Sequence, residues 1–441
     1  MPQGARMADT HLTAAENERS LRHTPSAARY ALVVLTIIYS LNFLDRRVIA
    51  ILIDPIKRDY QLSDKAMGFI AGFGFVLFYS VLAAPVARWA DRSSRRNIIS
   101  WGLVLWSGMT ALGGIARNAL QLTLSRFGVG VGEAAGTAPS TSMISDLFPG
   151  SQRSSAMAVY QLGPVIGGFL GYFIGGWVNH SYGWHAAFFV AGVPGLLVAL
   201  IFRYTVKEPV RGISEVKRAD THQQKFWDTL RFLLDQKSYM FLLAGFCFTT
   251  FTQFGIGTWA PPFFGRIHHL NTKQIGIYAG TVQAIAGLVG TLIGGYLSDY
   301  LGRKNVRWRI YVSGISSILA CPGVLLFVFS HSLFWCIVGF TIVSAASPVH
   351  VGPMVAVSHS VVKVGMRAFA TSVIYLIAEL LGLGLGPFLI GAFNDHYKLR
   401  LGVDVIRYSM ATAAVTTLIG GALFCVAAQW LERDISRTLE Q

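Results

Sequence analysis

Charged residues are scarce in this chain, and their scarcity excludes most soluble folds. Asp, Glu, Lys and Arg make up 13% of its 441 residues, against about 25% in typical soluble proteins. Hydrophobic residues reach 53%, which is more apolar surface than a compact core can hide. The composition therefore predicts a membrane protein. At roughly 20 residues per span, the chain has room for about a dozen spans.

Cysteine is also rare, and its placement excludes a disulfide framework or a zinc site. The four cysteines lie inside apolar stretches without CxxC spacing: Cys247, Cys321, Cys336 and Cys425. This placement is typical of packed free thiols.

Motifs that carry catalysis or nucleotide binding are missing as well. The chain has no P-loop, so ATP does not drive it directly, and it has neither an H-E-x-x-H helix nor a nucleophile elbow. A G-x-G-x-x-A pattern at residues 130–135 lies inside an apolar run without a preceding strand, so it is not a dinucleotide site. We therefore expect no enzyme, no cofactor and no metal.

The net charge of +15 would suggest a nucleic-acid partner in a soluble protein. Here the basic residues lie in short segments between apolar runs, as the positive-inside rule expects of cytoplasmic loops. We therefore expect no nucleic-acid partner.

Apolar runs occur in two sets of six. The first set covers about 28–53, 66–87, 97–116, 119–147, 154–179 and 184–205, and the second about 238–265, 273–298, 308–330, 332–361, 368–393 and 405–430. Residues 206–237 are too polar to cross lipid and predict a central cytoplasmic loop. The polar residues 1–27, without the apolar core of a signal peptide, predict a disordered tail, and 432–441 predict a second cytoplasmic tail. The domains are then two six-helix bundles at 28–205 and 238–431.

The cations set the orientation. Arginine and lysine residues concentrate after spans 2, 4 and 8: Arg88, Arg92, Arg95, Arg96, Arg153, Arg303, Lys304, Arg307 and Arg309. That side is cytoplasmic and holds both termini. The outer loops still carry Lys57, Arg58, Arg266 and Lys273. We expect a multi-pass protein of the plasma (inner) membrane.

The two halves repeat one loop pattern. Asp91 precedes the basic pair Arg95–Arg96 after span 2, and Asp299 precedes Arg303–Lys304 after span 8. Related six-helix halves are typical of transporters in which a central site alternates between the two faces.

The second copy, from Gly295 through Gly302 to Lys304, resembles the loop signature G-x-L-x-D-x-x-G-R-K of the major facilitator superfamily at every defining position. The first copy keeps the charges but lacks the glycines. Residues 126–132 are similar to that family's R-x-x-x-G-x-G pattern, and residues 163–168 to its G-P-x-x-G-G element. The resemblance implies twelve transmembrane helices in an all-α polytopic fold with two pseudo-symmetric bundles.

A narrower resemblance is to the spinster family of lipid transporters. It rests on residues 42–46 (Asn-Phe-Leu-Asp-Arg), on 132–134 (Gly-Glu-Ala) and on the run from Asp146 to Arg153. The resemblance implies transport of a small amphipathic substrate, a lysophospholipid or sphingoid type, coupled to protons.

Four charges lie inside the first-half spans, where each costs free energy unless it faces a cavity or a partner. Asp45 and Arg46 in span 1 and Arg126 in span 4 have similar predicted depths, so an Asp45–Arg126 contact is expected. Glu133 lies two turns beyond Arg126, on the same helix face and near the midplane. The group is either a proton switch or a static buried network that fixes packing.

Other intramembrane residues are candidates for the substrate cavity. Glu379 in span 11 suits a cation, a substrate amine or a proton, and alternatively a protonated helix contact. His350 in span 10 either titrates or packs. The remaining cavity candidates also suit helix contacts: Tyr79, Gln161, Gln253, Trp259, Gln283 and Tyr375.

The loop motifs predict a cytoplasmic gate. Asp91 and Asp299 are placed to meet a helix N-terminus or a basic side chain of the other half. The alternative is that the basic residues only set topology and contact headgroups. The gate candidates are Asp91, Arg92, Arg95, Arg96, Gly295, Asp299, Gly302, Arg303 and Lys304.

These patterns together predict a monomeric secondary active transporter that works by alternating access, with the bilayer, a small amphiphile and protons as its partners. An organic anion or a drug-like solute is the alternative substrate. A channel and a membrane-embedded lipid enzyme are alternatives from other classes.

Overall fold

A computed structural model describes residues 24–211 and 226–440. Residues 1–23, 212–225 and 441 lie outside the described part, so most of the predicted N-terminal tail and the middle of the predicted central loop are not covered. The described residues form helices joined by short turns.

The first half contains six spans. Span 1 is Pro25–Ile51, continued by Ile53–Asp59; span 2 is Asp64–Ala71 with Phe73–Arg92; span 3 is Arg95–Gly113; span 4 is Ala119–Glu133 with Thr137–Leu147; span 5 is Gly150–Tyr160 with the first part of Leu162–Thr205; and span 6 is the rest of that helix. Spans 5 and 6 are separated at Gly183, whose φ is 83°. Such a backbone favours glycine, which has no Cβ to clash.

The second half follows a short helix, Phe226–Asp235. Span 7 is Lys237–His268; span 8 is Thr272–Gly302; span 9 is Trp308–Phe329; span 10 is Leu333–Ala346 with Val351–Ser360; span 11 is Arg367–Glu379, a π-helical turn Leu380–Leu385 and Gly386–Leu401; and span 12 is Val405–Glu440. A single 3₁₀ turn, Ser347–His350, joins the two parts of span 10.

Hydropathy and length agree with twelve crossings in the described residues. Eight segments are long and apolar enough to cross a membrane, and two of them, Gly150–Thr205 and Phe369–Thr438, have 56 and 70 residues. Each of these two is long enough for two crossings at about 20 residues per span. Spans 3 and 4 complete the set. The all-α, twelve-helix fold with two bundles is therefore confirmed.

Several boundaries differ from the sequence-based ranges for local reasons. Span 1 begins at Pro25, inside the predicted tail, because the Thr24 side chain accepts a hydrogen bond from the Ala27 backbone N–H at 3.4 Å and proline suits the first helical position. Span 12 continues through the range assigned to the second tail, where buried Asp434 accepts hydrogen bonds from the backbone N–H and hydroxyl of Ser238 at 2.7 and 2.6 Å. The domain limits themselves stay a prediction.

The two halves meet along spans 2 and 11 and along spans 5 and 8. A Cβ at Gly68 would lie 2.4 Å from the Pro387 carbonyl oxygen, and one at Gly276 would lie 2.5 Å from the Tyr172 carbonyl oxygen. In both contacts the backbones of the two spans approach each other closely, and both contacts lie toward the outer ends of the spans. The halves are therefore packed together on the outer side.

Candidate transport site and gates

A buried ion pair joins spans 1 and 4. Arg46 Nε donates a hydrogen bond to Glu133 Oε2 at 2.8 Å, and the two side chains are 9% and 0% exposed. The Arg46 guanidinium also lies 4.5 Å from the ring centroid of Phe75 and 4.9 Å from that of Tyr79. These aromatic faces add cation–π attraction to the pair in a site that water does not reach freely.

Asp45 and Arg126 meet in a different way from the one expected. Arg126 Nη2 donates to the backbone carbonyl of Asp45 at 3.5 Å, and among the described residues no ion pair joins the Asp45 carboxylate to Arg126. Asp45 and Arg46 are neighbours on one helix and point in different directions, so only Arg46 reaches the span 4 carboxylate. Within the described chain, Asp45 Oδ1 and Arg126 Nη1 are buried without hydrogen-bond partners.

Glu379 faces this cluster from the other half. It ends the first part of span 11, directly before the π-helical turn, and it interacts electrostatically with Arg46. Tyr79 interacts electrostatically with both Arg46 and Glu379. No Lys or Arg lies in the middle of a second-half span to pair with Glu379, and the structure provides the cation from the first half. π-helical turns often occur at functional sites.

The other cavity candidates are spread over several environments. Gln253 and Gln283 line a cavity between the halves, whereas Gln161 is exposed at the break in span 5. Trp259 is fully buried and donates its indole N–H to the Pro387 carbonyl at 2.9 Å. It therefore packs span 7 against span 11, and it does not line this cavity.

Two candidates of the second half, His350 and Tyr375, pack against the same phenylalanine, Phe246. His350 is 1% exposed, and neither of its ring nitrogens has a hydrogen-bond partner among the described residues. Its ring lies 5.2 Å from that of Phe246, and Phe246 lies 5.8 Å from Tyr375. This apolar setting supports a packing role for His350 and Tyr375.

The cavity itself has a volume of about 180 Å³. Residues from spans 1, 5, 7, 8 and 10 line it, so both halves contribute. It contains Arg47, a residue that the sequence analysis did not single out. The only sequence signal was its position within an apolar run directly after Arg46.

An ionic network closes the outer side. Arg266 of span 7 binds Asp54, in the short helix that continues span 1, at 2.5 Å and Asp64, at the start of span 2, at 2.6 Å. In span 11, the Asn394 amide donates to Asp64 at 3.0 Å, and Asp395 accepts the Asp64 backbone N–H at 3.0 Å. The network joins both halves. It also explains why Arg266 lies on the outer side, against the positive-inside pattern.

The predicted cytoplasmic gate residues are not joined across the halves. In residues 24–211 and 226–440, the Asp91 and Asp299 carboxylates make no ion pair. Arg95 instead works within the first half: its side chain is 2% exposed and binds Asp146 at 2.5 Å and Glu208 at 2.9 Å. The gate role of these motifs stays a prediction that concerns another conformational state.

Glu208 completes this cytoplasmic network below spans 3, 4 and 6. It accepts the Arg96 backbone N–H at 2.7 Å and the Ser94 hydroxyl at 2.9 Å. Burial by itself would raise the pKa of Glu208, but the hydrogen bonds from Arg96, Arg95 and Ser94 outweigh it and lower the pKa.

The remaining motif residues surround the two turns. Arg92 is exposed, and a Cβ at Gly295 would meet open space. A Cβ at Gly302 would lie 2.6 Å from the Arg309 side chain, so a larger residue in the turn after span 8 would require Arg309 to move. Arg303 caps span 8, and Lys304 Nζ lies 5.7 Å from the Tyr300 ring centroid.

Comparison with known proteins agrees with this architecture. The family model of the Major Facilitator Superfamily matches residues 35–387. The chain belongs to this superfamily. It is 28% identical to an MFS-type efflux pump of Mycolicibacterium smegmatis over 96% of this chain and 97% of that protein. It is 27% identical to Protein spinster homolog 1 of Xenopus tropicalis, over 92% and 81% respectively, and 28% identical to the probable galactarate/D-glucarate transporter GudP of Bacillus subtilis, over 63% and 66%.

Solved structures support the narrower likeness. This superfamily member is similar to a bacterial homolog of the human lysosomal transporter Spinster in an inward-facing, unoccupied conformation, with a TM-score of 0.85, 28% identity and coverage of 93% of this chain and 99% of that one. The spinster-like resemblance is confirmed. The chain is an integral multi-pass membrane transporter, and its closed outer side corresponds to an inward-facing state.

Proposed function

We propose that this transporter moves a lysophospholipid-like or sphingoid amphiphile by alternating access, with protons as the coupling ion and the plasma membrane as its location. The observation that carries the proposal is the buried cluster of Asp45, Arg46, Arg126 and Glu133, which lies in one half and faces Glu379 of the other half. Buried charged groups whose hydrogen-bonding atoms lack partners destabilise a protein in which they only fix helix packing. A transport cycle that protonates and deprotonates these groups gives them a function.

The coupling step follows from the Arg46–Glu133 pair. Protonation of Glu133 removes the charge that holds Arg46 against span 4. Glu379 of the other half is then the carboxylate that still attracts the Arg46 guanidinium. An attraction that moves from one half to the other changes the free-energy difference between the inward-facing and outward-facing states.

The lipid substrate is supported by the relatives named spinster and by a largely apolar cavity wall. An organic anion or a drug-like solute is the second candidate. It is favoured by the relatives named as an efflux pump and as a probable galactarate/D-glucarate transporter, and by the arginine in the cavity.

The test uses purified protein in liposomes with an imposed proton gradient. We expect saturable uptake of lysophosphatidylcholine or sphingosine that a protonophore abolishes, with protein-free liposomes as the control. Gradient-driven uptake of D-glucarate without lipid uptake would instead establish the second candidate. Flux without saturation or counterflow would indicate a channel, and a chemically altered lipid in mass spectrometry would indicate an enzyme.

A further inference from the structure

Arg47 is a second intramembrane arginine of span 1 with a different environment from Arg46. It lines the cavity between the halves, and no acidic side chain of the described ranges forms an ion pair with it. Its guanidinium lies 5.8 Å from the ring centroid of Tyr172. An arginine without a carboxylate partner in a membrane is costly, so an anion from outside the protein would stabilise it.

Hydrogen-bonding groups from four spans converge beside Arg47. A Cβ at Gly257 of span 7 would lie 2.5 Å from Arg47 Nη1 and 3.7 Å from Gln283 Nε2. The Tyr172 hydroxyl of span 5 donates to the Gly257 carbonyl at 2.5 Å. The glycine therefore allows the guanidinium and the carboxamide to approach one backbone position from opposite halves, where both can donate to one ligand.

The position of Arg47 gives the cavity a polar closed end. Arg47 lies one turn from the outer end of span 1 at Ile51, on the side that the Arg266 network closes. Thr291 also lines the cavity, lies in the cytoplasmic part of span 8 and is exposed. A ligand entering from the cytoplasmic side would therefore reach Arg47 last.

The wall between these two ends is mainly apolar. Its side chains include Phe169, Ile256, Leu288, Phe340 and Val343. The volume of about 180 Å³ is small beside the roughly 300–1,000 Å³ of typical small-molecule sites. This space suits the polar end of an amphiphile, whose chain would follow the apolar wall toward the open side.

We propose that Arg47, assisted by Gln283, binds the anionic headgroup of a single-chain amphiphile, with a phosphate at the closed end of the cavity and the acyl chain directed toward Thr291. Planar guanidinium groups bind phosphate through paired hydrogen bonds. The inference rests on the proposed lipid transport and specifies the charge of the substrate. It places the headgroup away from the Arg46–Glu133 pair, so headgroup binding and proton coupling use different arginines.

The experiment compares oleoyl lysophosphatidate with monoolein, which has the same chain and glycerol but no phosphate. Dissociation constants are measured with purified protein in a neutral detergent for the wild type, Arg47→Gln, Arg47→Lys and the control Arg29→Gln, which removes an exposed arginine from the same helix. Inorganic phosphate and D-glucarate serve as chainless anions. Gel filtration and thermal unfolding check that each variant folds.

We expect the wild type and Arg29→Gln to bind lysophosphatidate more tightly than monoolein. Arg47→Gln should weaken lysophosphatidate binding by about tenfold, equivalent to about 1.4 kcal/mol, and leave monoolein binding unchanged, while Arg47→Lys should lose less. Equal binding of the two lipids by the wild type would overturn the inference even if Arg47→Gln did not fold. So would an undiminished affinity of Arg47→Gln for lysophosphatidate.

The remaining outcomes separate this inference from the proposed function. Binding of inorganic phosphate or D-glucarate as tight as that of lysophosphatidate would show a site for free anions and overturn the amphiphile assignment. Proton-driven uptake of a lipid by Arg47→Gln with unchanged headgroup preference would overturn only the role of Arg47. If the wild type transports no lipid at all, the proposed function itself fails.

Discussion

Arg46 and Glu133 stabilise one another only as long as both are charged. Removing one partner of a buried pair costs about 3–5 kcal/mol because the other charge stays buried without compensation. A proton that neutralises Glu133 has the same electrostatic effect on Arg46. Coupling by protonation therefore needs a carboxylate at this position, and hydrogen bonding alone is not sufficient.

Glu133→Gln should impair proton-driven uptake and leave much of the exchange between equal substrate pools. The amide keeps an oxygen that accepts the Arg46 Nε hydrogen bond but does not titrate. Uptake and exchange in proteoliposomes measure the two activities. Glu432→Gln, at an exposed ion pair with Arg307, is the control. Equal gradient-driven uptake by Glu133→Gln and the wild type would remove Glu133 from the coupling step.

Double-mutant cycles should separate the two arginine–carboxylate pairs of the first half. We expect a larger coupling energy for Arg46→Gln with Glu133→Gln than for Asp45→Asn with Arg126→Gln, because only the first pair shares a hydrogen bond between side chains. Thermal unfolding midpoints in detergent give the relative values. A larger coupling for the Asp45–Arg126 pair would contradict the geometry described above.

Several helices end at the cytoplasmic network around Arg95. The lowered pKa of Glu208 means that its ionised form stabilises the folded state. This stabilisation is complete above the pKa of the unfolded chain, about 4.3 for Glu, and it is lost as the pH falls through the lower folded value. The network therefore links the ends of spans 3, 4 and 6 in a pH-dependent way.

Glu208→Gln should lower the unfolding midpoint at pH 7 and reduce the further loss on acidification. The amide cannot balance the charge of Arg95, and its binding does not depend on pH in this range. Midpoints from pH 7 down to pH 3, with Glu432→Gln as the control, test this expectation. If the wild type and Glu208→Gln lose the same stability on acidification, Glu208 does not contribute to the acid sensitivity.

The outer and inner faces of the molecule differ in the contacts between the two halves, and this difference defines the conformational state. The outer face has an ionic network across both halves, whereas the duplicated loop motifs on the inner face make no ion pair across the halves within the described residues. The outer contacts therefore stabilise the inward-facing state. Outward opening must break these contacts together.

Asp64→Asn should shift the population toward the outward-facing state. The amide weakens the bond to Arg266 of the other half, and each loss of about 1.4 kcal/mol changes the population ratio tenfold. Electron resonance distances between labels at the outer ends of spans 1 and 11 measure the shift. Asp404→Asn is the control, because the Asp404–Arg407 pair lies within one half. Identical distance distributions for Asp64→Asn and the wild type would exclude a gating role.

Local chemistry explains why the spans and their orientation were predictable. Crossing lipid requires a continuous apolar run, and the cations at Arg95 and Arg303 mark the cytoplasmic ends by their position in the chain. The charges at Asp45, Arg46 and Glu133 were recognisable because each is expensive inside an apolar run. None of these inferences needed to know which helices are neighbours.

Helix packing decided which side chains pair with one another and which of them are exposed to the cavity. The rotation of each helix about its axis brings Glu133 to Arg46, turns Trp259 into a contact between spans 7 and 11, and leaves Arg47 in the cavity. The approach of the two halves joins Arg266 to Asp64 across 202 positions of the chain. Apolar periodicity does not encode such pairings, because lipid-facing and protein-facing surfaces of a span are both apolar.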